Sequence, residues 1–350
     1  MKVLIAHEIF PPEFVGGGES LMLRICLGLK ERGIDVKVLT SGNPKIKSYK
    51  GIETIRIPLN RYLMNLAFFQ VLKHAKDVDL IQASSGNLCF PSWLAAKLLN
   101  KPICCYVHHI LNGYWKDVRG IFVGSLFENF EKFFISRDYD AIIFQNNSAL
   151  RLGKKIGLNA KRIFMLQPGI DWEKFQVKRE KELFVLFVGS MNMNDALIRL
   201  KGIKYLLDAA RMLPDVKFFI VGGGKALKKL KRDSPKNVVF TGTLVGEPLI
   251  ELYARAQIFC LPSLSEGFGL TILEAMASGC AIVSTIDLGQ EGILIKPKSS
   301  EQIKNAIEFL LKNPAKALRM GKKNRKIAKK FTWDNFLESL LKIYSLIAKR

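Results

Sequence analysis

The stretch SLSEGFGLTILEAMASGC, Ser263–Cys280, sets two carboxylates around a glycine-rich turn that runs into an apolar helix. FCLPS ahead of it reads as a strand, LSEGFG as a loop, LTILEAMAS as a helix and Gly279 as its stop. Glu266, before the helix, can accept hydrogen bonds from a pair of ligand hydroxyls. Gly267, Phe268, Gly269, Leu270 and Thr271 offer main-chain amides at the helix start, where the dipole favours an anion. Glu274 lies further in, with its side chain tilted back toward the helix start. Two acids around one anion-binding turn suit a ligand with two sugar rings joined by a diphosphate: one carboxylate per ring, and amides for the charge between. Such a ligand is a nucleotide sugar. The plainer reading is charge complementarity at a helix start plus a surface glutamate.

A second glycine loop, HEIFPPEFVGGGES, follows the first strand and precedes the amphipathic segment SLMLRICLGLKERG. Gly16, Gly17 and Gly18 let backbone approach a ligand closely and place amides at a helix N-terminus. The loop matches neither the dinucleotide fingerprint nor a P-loop, and a tight turn accounts for it equally well. His7, His108 and His109 fall at strand ends, where a packed, hydrogen-bonded histidine is the commoner case.

The elements that must position these residues come in alternation. KVLIAH, DVKVLT, LIQASS, ICCYVHH and AIIFQN are strand-like in the first half; FVLFVGS, KFFIVGG, NVVFTG, IFCLPS and AIVST repeat the pattern in the second. Helix-like segments separate them, so each half predicts a parallel sheet of strand–helix–strand units. A chain of 350 residues fits two domains at about 150 residues each, with Pro168-Gly169 marking the boundary. A crevice between the domains would face the carboxyl ends of both sheets. Six scattered cysteines without metal spacing suggest buried thiols in a reducing compartment, so the expected location is cytoplasmic. MKVLIAHEIF is too short and too soon polar for a signal peptide, and no apolar run approaches the roughly 18 residues of a membrane span.

Net charge is +23, with 23 basic and 13 acidic groups in residues 1–170 and 31 against 18 in the rest. Spread over both halves, this excess excludes a basic tail and favours contact with something anionic, though solvated lysines explain much of it. NRYLMNLAFFQVLKHAK and VRGIFVGSLFENFEKFFISR are both greasy and basic. They fit core-facing helices or a face resting on an anionic membrane surface, here the inner face of the cell membrane. The lysine runs KALKKLKRDSPK and KALRMGKKNRKIAKK look like solvated helix faces. A basic nucleic-acid binder is a rival reading, but it leaves both glycine loops unused and the chain has no aromatic-and-basic stacking motif, so nucleic acid is not expected as a partner.

EGFGLTILEAMASGC resembles the signature of the large group 1, or family 4, class of retaining glycosyltransferases, which includes bacterial lipid mannosyltransferases and sucrose synthases. The resemblance runs through the chain in order: FVGGGES to the family's first glycine loop, PICCYVHH to its strand ending in His, and IFMLQPGIDWEKF to its interdomain segment. RLKGIKYLLDAA is similar to its Lys-Gly helix start, FIVGGG to its nucleotide-side strand, and FTWDNFLESLLKIYSLI to a C-terminal helix that crosses back to the first domain. It implies an α/β chain of two facing, doubly wound Rossmann-like domains, the GT-B fold. The first, acceptor-side, domain would span 1–168, the nucleotide-sugar domain 169–331, and the returning helix 332–350.

By the same resemblance, Glu266 would hold the donor sugar's hydroxyls and Glu274 the ribose. Lys201 would neutralise the diphosphate, and Gly17 and Gly18 would approach it from the first domain. Glu266, His108 and Lys201 would be the catalytic set, with Gly16 and His108 on the acceptor side. No metal or cofactor is implied, since the nucleotide sugar is itself a substrate and the chain has no paired-Asp motif. The partners would be that donor, a lipid-linked or glycan acceptor and the membrane surface, with a soluble sugar or sugar phosphate as the alternative acceptor. Two features depart from the family. Ser190 and Met191 stand where an Arg is usual, with Arg199 as the expected replacement charge, and STIDLGQEGILIKP is shorter than the usual loop.

Overall fold

The computed structural model describes residues 1–13, 17–191 and 199–349. The chain divides into two compact units. One comprises Met1–Asn112, Leu126–Pro168 and Trp333–Arg350; the other comprises Gly113–Ser125 and Gly169–Thr332.

The first unit holds β1 (Lys2–Ala6), β2 (Asp35–Ser41), β3 (Ser48–Tyr49), β4 (Ile52–Ile57), β5 (Leu80–Ser84), β6 (Ile103–Tyr106), β7 (Ala141–Phe144) and β8 (Ile163–Met165). They form one sheet in the order β3-β4-β2-β1-β5-β6-β7-β8, parallel except for the β3–β4 pair. The central strands are apolar on both faces because helices cover both: β1, β5, β6 and β7 are buried almost throughout. One face packs on Val71, Ala95 and Tyr139. The other packs on Leu21, Met22 and Ile25 of the helix Gly17–Glu31, and on Phe336, Leu337, Leu340, Ile343 and Tyr344 of the helix Trp333–Ala348. Tyr344 is fully buried there and donates from Oη to Gln82 Oε1 at 2.6 Å.

The second unit holds β9 (Glu182–Val188), β10 (Lys217–Val221), β11 (Val238–Gly242), β12 (Ala256–Leu261), β13 (Ala281–Ser284) and β14 (Gly292–Leu294), in the parallel order β11-β10-β9-β12-β13-β14. Both sheets are therefore Rossmann-like, as the strand pattern implied. β3, β4, β8 and β14 had no place in the sequence reading. β3, β8 and β14 are only two or three residues long, too short to show a period, and β4 alternates buried and open residues in a polar stretch.

The segment Gly113–Ser125 groups with the second unit, whereas the sequence reading kept all of 1–168 together. The reason is visible in its ties. Lys298 Nζ reaches Asp117 Oδ2 at 2.7 Å and lies over the Tyr114 ring, and Arg199 Nη1 donates to the Asp117 carbonyl at 3.3 Å. The six cysteines are buried and free.

Candidate active site

In each sheet the strand order reverses beside its first strand, so the loops leaving two neighbouring strands diverge there and open a crevice at their carboxyl ends. In the second unit those strands are β9 and β12. The loop after β12 carries Ser263 and Glu266; the loop after β9 carries Lys201. Two close contacts fix these loops against each other, and a third ties the loop after β12 to the end of β13. Leu264 N donates to Leu200 O at 2.7 Å. Gly202 has φ +66°, and a Cβ there would stand 2.0 Å from the Pro262 carbonyl oxygen, so only glycine fits. Thr285 Oγ1 donates to the Ser263 carbonyl.

Glu266 is buried, and its Oε1 receives two donors: Lys201 Nζ at 2.7 Å and Ser263 Oγ at 2.6 Å. Two charge-assisted hydrogen bonds hold this carboxylate in one orientation. The Lys201 ammonium has three protons, and two of them point away from Glu266. Immediately downstream, Gly269 caps the helix Leu270–Ala277 in a left-handed conformation (φ 96°, ψ 49°), and among the described residues no N-cap side chain bonds the first amides. An ammonium, a fixed carboxylate and a helix N-terminus thus meet in one short stretch. Phe268 contributes only its amide, because its ring is buried in the core beside Phe331.

Glu274 stands apart from this cluster in its bonding. It accepts from Tyr253 Oη at 2.8 Å, and Tyr253 is fully buried on the helix Glu247–Arg255. Burial pushes the Glu274 carboxyl up to about 7, with the Tyr253 hydrogen bond acting weakly the other way. Arg199 is exposed and turned to Asp117. Gly16 lies outside the described residues. Gly17 and Gly18 open the helix Gly17–Glu31, and among the described residues nothing beyond the chain neighbours and the helix's own backbone comes within 4 Å of a Cβ built at either.

His108 lies in the first unit, where the strand order reverses between β1 and β5. Its Nε2 is 3.2 Å from Ser84 Oγ, and the same hydroxyl is 2.7 Å from His7 Nδ1; the two rings sit 4.9 Å apart. Burial holds both imidazoles below their usual range, His7 at about 4 with help from Arg61, His108 also through His7 and His109. Beside them Glu8 is held by the Asn87 amide and by Arg61 Nη2 at 3.3 Å, and burial raises its carboxyl. His7 directly follows β1 and Ser84 ends β5, with Glu8 and Asn87 in the loops just beyond, a positional signal that periodicity does not mark. Ser263 is three residues before Glu266, close enough to suggest the bond it makes.

Residues 170–327 match the family model for glycosyl transferases group 1, and residues 15–174 match that for glycosyltransferase family 4. An N,N'-diacetylbacillosaminyl-diphospho-undecaprenol alpha-1,3-N-acetylgalactosaminyltransferase from Campylobacter jejuni is 26% identical, over 93% of this chain and 94% of its own. The fold is similar to that of sucrose-phosphate synthase from Thermosynechococcus elongatus, at 20% identity and TM-score 0.79 over 99% and 98% of the two chains. It is also similar to Anabaena HepE, solved with UDP-glucose, at 18% identity and TM-score 0.74 over 99% of each. Matched in chain order by two glycosyltransferase models, with a Rossmann-like sheet in each half, the chain belongs to the group 1 glycosyltransferases of GT-B fold and is a glycosyltransferase that takes its sugar from a nucleotide donor.

Proposed function

We propose that the enzyme transfers the sugar with retention, without a metal, to a lipid-linked or membrane-surface glycan acceptor. The observation that carries the site assignment is the Lys201–Glu266–Ser263 cluster beside the uncapped helix start at Leu270. Glu266 holds the donor sugar's hydroxyls; Lys201 and the amides of 267–271 take the diphosphate; Glu274 takes the ribose. Gly17 and Gly18 leave room for a phosphate to approach main chain, and His108 serves the acceptor side. In the reaction the bond from the anomeric carbon to the diphosphate breaks and a bond from the acceptor oxygen to that carbon forms on the same face. The acceptor proton passes to the departing phosphate oxygen. The protein's part is to orient both partners and to stabilise charge on the leaving group. Lys201 supplies that charge, which is why no metal is required. The relative from Campylobacter jejuni, whose name specifies an undecaprenol-linked acceptor, supports the lipid-linked reading. So does the helix Ile121–Ile135, where Ile121, Val123, Leu126, Phe130 and Phe133 are exposed and Phe122 is 90% exposed. Among the described residues, no helix is long and apolar enough to cross a membrane.

The test is release of nucleoside diphosphate from a panel of nucleotide sugars, with and without chelator, followed by product anomer analysis. Lys201→Ala should weaken nucleoside diphosphate binding more than nucleoside binding. Equal losses for the two would remove the diphosphate from Lys201, and an inverted product or a metal requirement would overturn those parts of the proposal.

A further inference from the structure

The hydroxyl of Ser84 lies between two imidazoles that the reaction as described uses unequally. It is 2.7 Å from His7 Nδ1 and 3.2 Å from His108 Nε2, and Ser84 and His7 are both buried. A hydroxyl has one proton. Among the described residues these two rings are its hydrogen-bond partners, so its proton goes to one ring, the other ring donates to it, and the two tautomers are locked together. Either Ser84 donates to His7, which then carries its proton on Nε2, and His108 donates from Nε2. Or His7 donates from Nδ1, Ser84 donates to His108 Nε2, and His108 carries its proton on Nδ1. The His7 Nε2 atom decides between them, because it is buried with no hydrogen-bond partner among the described residues. A buried orphan N–H is rarer and costlier than a buried bare acceptor. The second arrangement is therefore the stable one.

We propose that His7 and Ser84 are positioning residues: acting through one hydroxyl, they hold His108 as the tautomer protonated on Nδ1, so that it presents a hydrogen-bond donor to a substrate oxygen. The proposal rests on the substrate-side role given to His108 above. Its surroundings keep the ring uncharged: burial desolvates it, His7 and Ser84 face it directly, the Tyr106 ring lies tilted at 5.1 Å, and His7 and His109 add like charge when protonated. Burial and then Arg61 do the same for His7, and Arg61 is itself bonded to Glu8. A neutral donor can orient a hydroxyl without competing for the proton that the leaving phosphate must receive.

Nitrogen-15 NMR of histidine-labelled protein reads the tautomers directly, needs no substrate, and so stands or falls apart from the glycosyl-transfer reading. At neutral pH the expected signals are a protonated Nδ1 and a bare Nε2 for His108. In Ser84→Ala, His108 should become a mixture of tautomers. With whichever donor in the panel turns over, His7→Phe should lower kcat about tenfold with KM little changed, the usual scale for a mispositioned proton-handling group. His7→Asn, whose amide nitrogen stands in for Nδ1–H, should recover most of that loss. A wild-type His108 protonated on Nε2 would overturn the proposal. So would a His7→Asn variant no better than His7→Phe, or a folded Ser84→Ala protein with unchanged tautomer.

Discussion

At the scale of single residues, the site depends on which carboxylates are charged. Glu266 is fixed by an ammonium and a hydroxyl, and Glu266→Gln should leave the fold intact while lowering turnover at least tenfold, about 1.4 kcal/mol of transition-state stabilisation. Steady-state rates on a variant with unchanged circular dichroism check this; equal rates would take Glu266 out of the mechanism. Glu274 behaves oppositely. Its carboxyl is raised from 4.5 to about 7, so the folded state binds the proton more tightly than the unfolded one. The protonated form is then favoured below that range, and stability falls as pH rises from about 4.5 to about 7, by roughly 3 kcal/mol at most. Urea unfolding of wild type and Glu274→Gln across pH 5–8 should show wild type losing ground to the variant; a pH-independent difference would contradict it. Glu266 and its loop were legible in the sequence because a carboxylate, two glycines and an apolar helix are contiguous. Glu274's partner Tyr253 was not, since 21 residues separate them and only packing brings them together. His7 and Ser84 were equally hidden, being 77 residues apart and joined by strand pairing between β1 and β5.

Among the elements, two of the glycine-bearing helices use a glycine for close packing. Gly28 sits where the helix Gly17–Glu31 meets the helix Trp333–Ala348: a Cβ there would lie 2.3 Å from Leu337 Cδ1. Gly28→Ala should therefore cost roughly 1–3 kcal/mol by overpacking, and combining it with Leu337→Ala should give less than the sum of the two losses. Chemical denaturation of the four proteins tests it, and strict additivity would mean the helices do not meet there. Gly321 meets Gly279 more rigidly, since a Cβ at Gly321 would stand 2.0 Å from the Gly279 carbonyl oxygen; this contact seats the helix Pro314–Ala328 against the end of the site helix. Most of the parallel strands were readable as apolar runs with helices between. The greasy helices were readable as a class but not in their facing. Phe68 and Phe134 pack against the core, while Phe69 and Phe133 turn outward, a choice that tertiary packing makes.

For the molecule as a whole, the net charge of +23 and the exposed rings make a single prediction. Lys116, Arg119, Lys132 and Arg137 lie on or near the helix Ile121–Ile135, and Arg137 stacks 4.1 Å over the Phe133 ring. Each basic group near an anionic surface contributes about 1 kcal/mol, screened over roughly 8 Å at physiological salt. The protein should co-sediment with anionic vesicles at low salt and much less with neutral ones. Phe122→Ser should weaken the attachment at every salt concentration. Sedimentation indifferent to lipid charge would leave hydrophobic attachment alone, and none at all would favour a soluble acceptor.

The helix Trp333–Ala348 belongs to the first unit although 164 residues of the second precede it, Gly169–Thr332. A ribosome makes the chain in one direction. One face of the first sheet thus emerges covered by the helix Gly17–Glu31 but lacking Phe336, Leu337, Leu340, Ile343 and Tyr344, and stays partly open while the whole second unit is translated. The core of the first unit is completed only after the second has been made, so a nascent chain stalled within Gly169–Thr332 leaves part of that greasy sheet face open to chaperones.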